Sequence, residues 1–192
     1  DEAKEFLNTN VVHDQRRPQP KFMHIYSKIP HAFQMDTFLD HKAAGQPNYL
    51  ILINFNTRKA YAYMIHGKGA KEIHRSLNEF ITVEPECKAI ISDEDAAYLS
   101  GIVIDFMQQH DITYPTTTDN DHIKLSIMRF NQPNMNILQI VDSYNNMPHR
   151  SLHNKSPNEI TKDDELAYIN QMEHRSNLSK VAYIVDSKDG NQ

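Results

Sequence analysis

The chain has 192 residues, 39% of them apolar, a single cysteine, and 20 basic against 25 acidic side chains for a formal net charge of −5. That length suits one domain with terminal extensions, at roughly 100–200 residues per domain, and supports a core that needs no stapling. One cysteine excludes an intrachain disulfide and every zinc site built on two or more thiolates, the acidic balance disfavours wrapping of nucleic acid by clustered Lys and Arg, and no window reaches the 18 or so apolar residues of a membrane span.

Residues 1–31 begin with a short helical pattern (Ala3, Phe6, Leu7) and lose periodicity through Gln15-Arg-Arg-Pro-Gln-Pro20, which predicts a peripheral arm and linker. The acidic start, Asp1-Glu-Ala-Lys-Glu5, lacks an apolar stretch and predicts a protein that is not secreted, in an intracellular and reducing compartment. Strands follow: Phe33-Gln-Met-Asp-Thr-Phe38 alternates, residues 49–55 are densely β-branched and aromatic, a turn falls at Asn56-Thr-Arg-Lys59, and residues 60–65 alternate again. Ile73, Leu77, Phe80 and Ile81 then recur at helical spacing over residues 70–81. Cys87-Lys-Ala-Ile-Ile91 reads as a short strand with Cys87 as a core residue, Asp93-Glu-Asp95 as an acidic cap, residues 96–110 as a helix, and Ile112-Thr-Tyr114 as a further strand.

An antiparallel meander that feeds alternating helices and strands predicts a mixed α/β sheet with helices on its faces. Residues 116–121 read as a polar loop, 123–130 as a helix broken at Pro133, 137–146 as a helix, 164–174 as a weak helix, and Val181-Ala-Tyr-Ile-Val185 as an edge strand or docking tail. The domain reading is an arm and linker over 1–31, a core over 32–161 and a tail over 162–192.

Two carboxylates stand out. Asp36 lies mid-strand among apolar neighbours, where a charge costs several kcal/mol unless paired or metal-bound, and Asp93 follows a strand at the carboxyl edge where open α/β sheets place their sites. On neighbouring strands the two would offer oxygen ligands to a divalent cation. Spacing alone leaves open a solvent-facing Asp36 and an Asp93 that caps a helix.

The Phe33-Gln-Met-Asp36 strand, the strand pair over 49–65, the helix over 70–81, Ile90-Ile-Ser-Asp93 and above all Tyr144-Asn-Asn-Met-Pro-His-Arg-Ser-Leu-His-Asn-Lys-Ser-Pro-Asn-Glu-Ile160 resemble the catalytic core of retroviral and retrotransposon-type integrases. The resemblance implies a ribonuclease-H-like fold, a mixed five-stranded sheet flanked by helices. It also implies a D,D,E triad holding two Mg²⁺ or Mn²⁺ ions that activate water or a 3′-hydroxyl and stabilise the leaving oxygen in phosphodiester exchange. Asp36 and Asp93 match the first two carboxylates. The glutamate of the third position is replaced by Met128, within Ser126-Ile-Met-Arg-Phe-Asn131.

Other departures point the same way. Glu94-Asp95 stands where the family usually has Asn-Gly, Pro133 interrupts the helix that lies along DNA in the family, and residues 32–161 carry 11 Lys and Arg against 15 Asp and Glu. Asp119 and Asp121 are the candidate replacement ligands, with His122 beside them, while Glu94 and Asp95 more simply complement a helix dipole. His149 and His153 have an i, i+4 spacing that suits a metal on a helix, but Pro148 places them in a loop. His13, His24 and His31 lack the cysteines of an integrase zinc module.

The sequence therefore predicts a degenerate integrase-like domain that has lost strand transfer, binds no cofactor, and serves as a structural or binding subunit through a protein partner or a second copy. The alternative is an active Mg²⁺- or Mn²⁺-dependent DNA integrase or nuclease of a mobile element or virus, using Asp36, Asp93 and a displaced third ligand.

Overall fold

Hydrogen bonding in a computed structural model, which describes residues 24–38, 48–115, 136–178 and 182–185, joins four strands into one mixed sheet. In chain order the elements are β1 (His24–Ser27), β2 (Ala32–Phe38), β3 (Asn48–Asn54), β4 (Ala60–Ile65), α1 (Ala70–Val83), β5 (Ala89–Ile91), α2 (Gly101–Gln109), α3 (Ile137–Asn146), 3-10 turns at Arg150–Leu152 and Pro157–Glu159, α4 (Lys162–Leu178) and β6 (Ala182–Val185). The sheet order is β4-β3-β2-β5. β2, β3 and β4 form an antiparallel meander, and β5 joins the free side of β2 in parallel. The sheet is therefore mixed, as the sequence predicts.

The strands form where the side chains suit a pleated, covered surface. β3 is buried from Tyr49 to Asn54 without alternation, because it is central and both of its faces are covered. On one face Phe33, Met35, Leu50, Leu52 and Ile65 pack with α1 and α2, and on the other Tyr49, Ile51, Ile53 and Ala60 pack with Val141 of α3. α1 drives Ile73, Leu77 and Phe80 into the first face, and the Phe80 ring meets Phe33 edge-on at 4.9 Å. Each of these fully buried side chains is worth about 1.5–3 kcal/mol in area removed from water. The β3–β4 turn is built by Asn54, whose Oδ1 accepts the N–H groups of Asn56 and Thr57 at 2.8 and 2.9 Å, with Arg58 at φ 63°.

Several expectations are corrected. Among the described residues the sheet has four strands rather than five: the segment around Ile112-Thr-Tyr114 shrinks to one parallel bridge between Ala89 and Thr113, held by Ile90 N–H to Thr113 O and Thr113 N–H to Lys88 O. Pro115 follows at once and has no N–H with which to extend the ladder. The helix expected from residue 96 begins at Gly101. Asp95 folds the preceding residues into a turn, its side chain accepting from Ala97 N–H at 2.9 Å and its carbonyl from Tyr98 and Leu99. Asp93-Glu-Asp95 thus caps no helix, and Ser100 is the N-cap of α2.

α4 is longer than its weak periodicity predicts, spanning Lys162–Leu178. β1 and β6, from the segments read as arm and tail, pair in parallel as a separate two-stranded sheet. Tyr26 of β1 is fully buried against Tyr168 and Met172 of α4. Cys87 lies in the core as expected, and burial pushes its thiol up to about 12, which makes it inert. No helix among the described residues is long and apolar enough to cross a membrane.

Candidate functional site

The parallel pairing of β2 with β5 sets Ala32, Phe33 and Gln34 beside Ala89, Ile90 and Ile91. The pairing ends at Gln34 and Ile91, so Asp36 lies two residues beyond it on β2 and Asp93 two residues beyond the end of β5. Alternation puts the Asp36 side chain on the face that carries α3: Asp36 lies opposite Ile51, and Phe38, two residues on, packs on that face. Asp36 is half-buried and its Oδ1 accepts the Thr37 N–H at 2.7 Å, while Asp93 is exposed.

Tyr98 and Tyr114 border these carboxylates. Burial pushes the Tyr98 phenol well above its usual range, and the charges of Asp36, Asp93 and Asp95 push the same way. The Thr37 side chain beside it acts in the opposite direction but falls short of a good hydrogen bond, so the buried Tyr98 hydroxyl has none among the described residues. Tyr114 is pushed up to about 12, first by burial and then by Asp93 and Asp95, against the bond with Ser92 at 2.7 Å. Asp95 is engaged within the protein, since Oδ1 takes Ala97 N–H and Oδ2 lies 3.5 Å from Lys68 Nζ.

Asp36 and Asp93 each carry hard oxygen donors, of the chemistry that Mg²⁺ or Mn²⁺ requires. When bound there, such an ion would polarise a phosphate oxygen or lower the pKa of a water. Among the described residues no group of three or more His, Cys, Asp or Glu side chains is arranged around a metal position. Met128, Asp119, Asp121 and His122 lie outside the described residues, as does His13. Glu94 is exposed between the paired strand end and Asp95.

The histidines do structural work. His149 and His153 flank a 3-10 turn rather than an α-helix, and the His149 ring lies 4.5 Å from Tyr144, with Nε2 at 3.1 Å from the Tyr144 carbonyl. His31 sits between Glu86 at 3.6 Å and Glu165 at 3.7 Å.

The Tyr144 to Ile160 stretch is equally structural. Asn145, buried, accepts from Ala60 N–H at 2.9 Å and donates to Ala60 O at 2.8 Å, so its carboxamide serves edge strand β4 as a further strand would. Ser156 and Glu159 close a reciprocal capping box around Pro157, and Asn158 donates to Asn146 at 3.0 Å.

Glu165 is the functional-looking residue that sequence reasoning missed. It is 2% exposed, and its Oε1 accepts from His31 N–H at 3.0 Å, Asn56 Nδ2 at 3.3 Å and Asn54 Nδ2 at 3.4 Å. In sequence it ends the acidic run Asp163-Asp-Glu165 at the start of α4, where carboxylates ordinarily complement the helix dipole from solvent. The partners that would have marked it lie more than 100 residues away.

No family model matches the chain, and no curated protein matches it. Among solved structures, the HTLV-2 integrase catalytic core domain in its dimeric form with magnesium is similar at 16% identity and a TM-score of 0.45, over 59% of this chain and 81% of that one.

Proposed function

We propose that the chain is an integrase-like domain that keeps two of three metal-binding carboxylates and acts as a structural or binding subunit rather than as a strand-transfer enzyme. The observation that supports this reading is the parallel β2–β5 pairing, whose offset, if carried two residues past Gln34 and Ile91, would set Asp36 beside Asp93, in a chain whose matching third position is Met128. Two carboxylates with water ligands hold one divalent ion weakly, and in-line phosphodiester exchange needs a second ion to stabilise the leaving oxygen. A protein partner or a second copy of the chain then carries the function.

A second reading has its own support. Tyr98 senses Asp95 together with Asp36 and Asp93, so a third carboxylate lies in the same region. Released from Lys68 and from the Ala97 N–H, Asp95 would complete a donor set for an active Mg²⁺- or Mn²⁺-dependent nuclease or integrase.

Calorimetric titration with Mn²⁺ separates the two. The proposal expects no measurable binding by the wild type and binding regained by Met128→Glu. Binding by the wild type that vanishes in Asp36→Asn, accompanied by Mn²⁺-dependent cleavage of a DNA oligonucleotide, overturns it in favour of the active enzyme.

A further inference from the structure

We propose that a cavity between α4 and the loop over 152–160 binds a small organic cation, an alkylammonium or alkylguanidinium group, with Glu165 as its counter-ion. The cavity is about 360 Å³, and its walls include Leu152, Ile160 and Tyr168, with Asn56 and Glu165 as polar groups. That volume falls in the roughly 300–1,000 Å³ range of small-molecule sites, which combine apolar walls with a few placed polar groups. The site involves neither Asp36 nor Asp93 and stands apart from the proposal above.

Glu165 carries the argument. Its two oxygens are served unequally: Oε1 takes three N–H donors, whereas the nearest partner of Oε2 is His31 Nδ1 at 3.7 Å, beyond hydrogen-bond reach. A carboxylate this deeply buried is costly unless its charge is met. Nearby cations have partners of their own: Lys155 pairs with Asp164 at 2.8 Å and Lys162 with Glu86 at 2.6 Å, and Arg58 gives Nη2 to the Ile25 carbonyl at 2.7 Å, though its buried Nη1 has no hydrogen-bond partner among the described residues. His31 is shared with Glu86 at 3.6 Å. The positive end of α4 offsets part of the charge but offers Oε2 no hydrogen.

A second group points to the same ligand. Tyr168, on the cavity wall and 9% exposed, has a buried hydroxyl with no hydrogen-bond partner among the described residues. A charged head with several N–H donors, on a short aliphatic stem, would satisfy Oε2 and present its methylenes to Leu152 and Ile160. The lining also carries Lys155 and Asp164, which pair with each other at 2.8 Å, so Glu165 is the lining carboxylate left for a cation.

The test is a ¹H–¹⁵N titration of the full chain with ethylguanidinium and n-butylammonium, read at the side-chain amides of Asn56 and Gln171, with ethylurea as the neutral match. The expected result is a saturable shift with both cations and at least tenfold weaker binding of ethylurea. Two variants carry the same expectation of a tenfold or greater loss: Glu165→Gln, which keeps shape and removes charge, and Ala167→Leu, which fills the cavity from an exposed position and leaves the core untouched. If Glu165→Gln fails to fold, Ala167→Leu decides. Absence of a saturable shift, an equal response to ethylurea, or unchanged binding in Ala167→Leu overturns the proposal. A Gly-Arg-Gly peptide that binds more tightly than ethylguanidinium assigns the cation to a protein side chain, and one that binds more weakly assigns it to a free small molecule.

Discussion

The edge that carries Asp36 and Asp93 and the flank that carries Asn145, Ser156 and Glu165 treat polar side chains in opposite ways. On the flank, polar atoms are buried and answered by the protein: Asn145 by both backbone groups of Ala60, Ser156 by Glu159, and Glu165 by three N–H donors on one oxygen. At the edge, Asp93 is exposed and Asp36 half-buried, beside a buried Tyr98 hydroxyl that no described group satisfies. The flank answers its polar groups within the protein, and the edge leaves the Asp93 carboxylate to solvent. The most distinctive stretch of sequence, Tyr144 to Ile160, belongs to the first kind, so its specificity reports on the fold and leaves the chemistry to the less distinctive aspartates.

The contrast breaks most visibly if the flank is cut. Glu165→Ala leaves three donors without an acceptor inside the protein and is expected to cost about 3–5 kcal/mol, the range for removing one partner of a buried charged network. Urea denaturation followed by circular dichroism measures it, and a loss under 1 kcal/mol would make Glu165 dispensable to the fold. Asn145→Ala comes next, at about 2–3 kcal/mol, because it strands the N–H and C=O of Ala60 where water does not reach. Hydrogen exchange of the Ala60 amide should accelerate in the same variant, which separates loss of this bond from general destabilisation.

Ser156→Ala sharpens the comparison at about 1 kcal/mol, the ordinary worth of an N-cap hydroxyl. Acid adds a subtler test on the exposed part of the flank. Asp164 is held down at about 2 by the bond from Lys155 and by the backbone and hydroxyl of Thr161. A depressed folded-state pKa gives stability that is present above the unfolded value, near 3.9, and is lost as pH falls toward about 2. Glu159, lowered by the Ser156 backbone and hydroxyl, contributes with the same sign. Asp164→Asn should therefore flatten the stability profile between about pH 4 and 2 and leave it unchanged at pH 7 apart from a constant offset.

The readable and unreadable parts of the chain divide along a physical line. β2, β4, α1 and α3 are legible from local periodicity, and β3 from an unbroken run of β-branched and aromatic residues that suits a strand covered on both faces. Where local chemistry interrupted the pattern, the reading failed: Pro115 ends the fifth strand after one bridge, and Asp95 delays α2 with a turn. The β1–β6 pairing was invisible for another reason, since its partners lie more than 150 residues apart and nothing local announces them. At the edge, Asp36 declared itself as a charge among apolar residues, but Tyr98 reads as one more core aromatic until the turn at Asp95 brings it to the carboxylates. Met128, Asp119 and Asp121 lie outside the described residues, so the structure leaves their part in the site to the variants.

The smallest expected stability change is the most informative about the edge. Asp36→Asn removes one of two neighbouring carboxylates and keeps the side chain's shape, and the amide oxygen can still accept the Thr37 N–H. Relief of repulsion between like charges favours the folded state, and loss of a charge-assisted acceptor opposes it. At the distances of adjacent parallel strands and in partial contact with solvent both are modest, so the net is expected within about 0.5 kcal/mol of zero. Its sign then responds to divalent metal: if an ion binds the pair, 10 mM Mn²⁺ raises the denaturation midpoint of the wild type and leaves Asp36→Asn unmoved, because a ligand that binds only the folded protein stabilises it by mass action. Equal midpoints with and without Mn²⁺ in both proteins are what a site reduced to two carboxylates predicts, and a large loss of stability in Asp36→Asn alone would show instead that Asp36 belongs with the structural residues of the opposite flank.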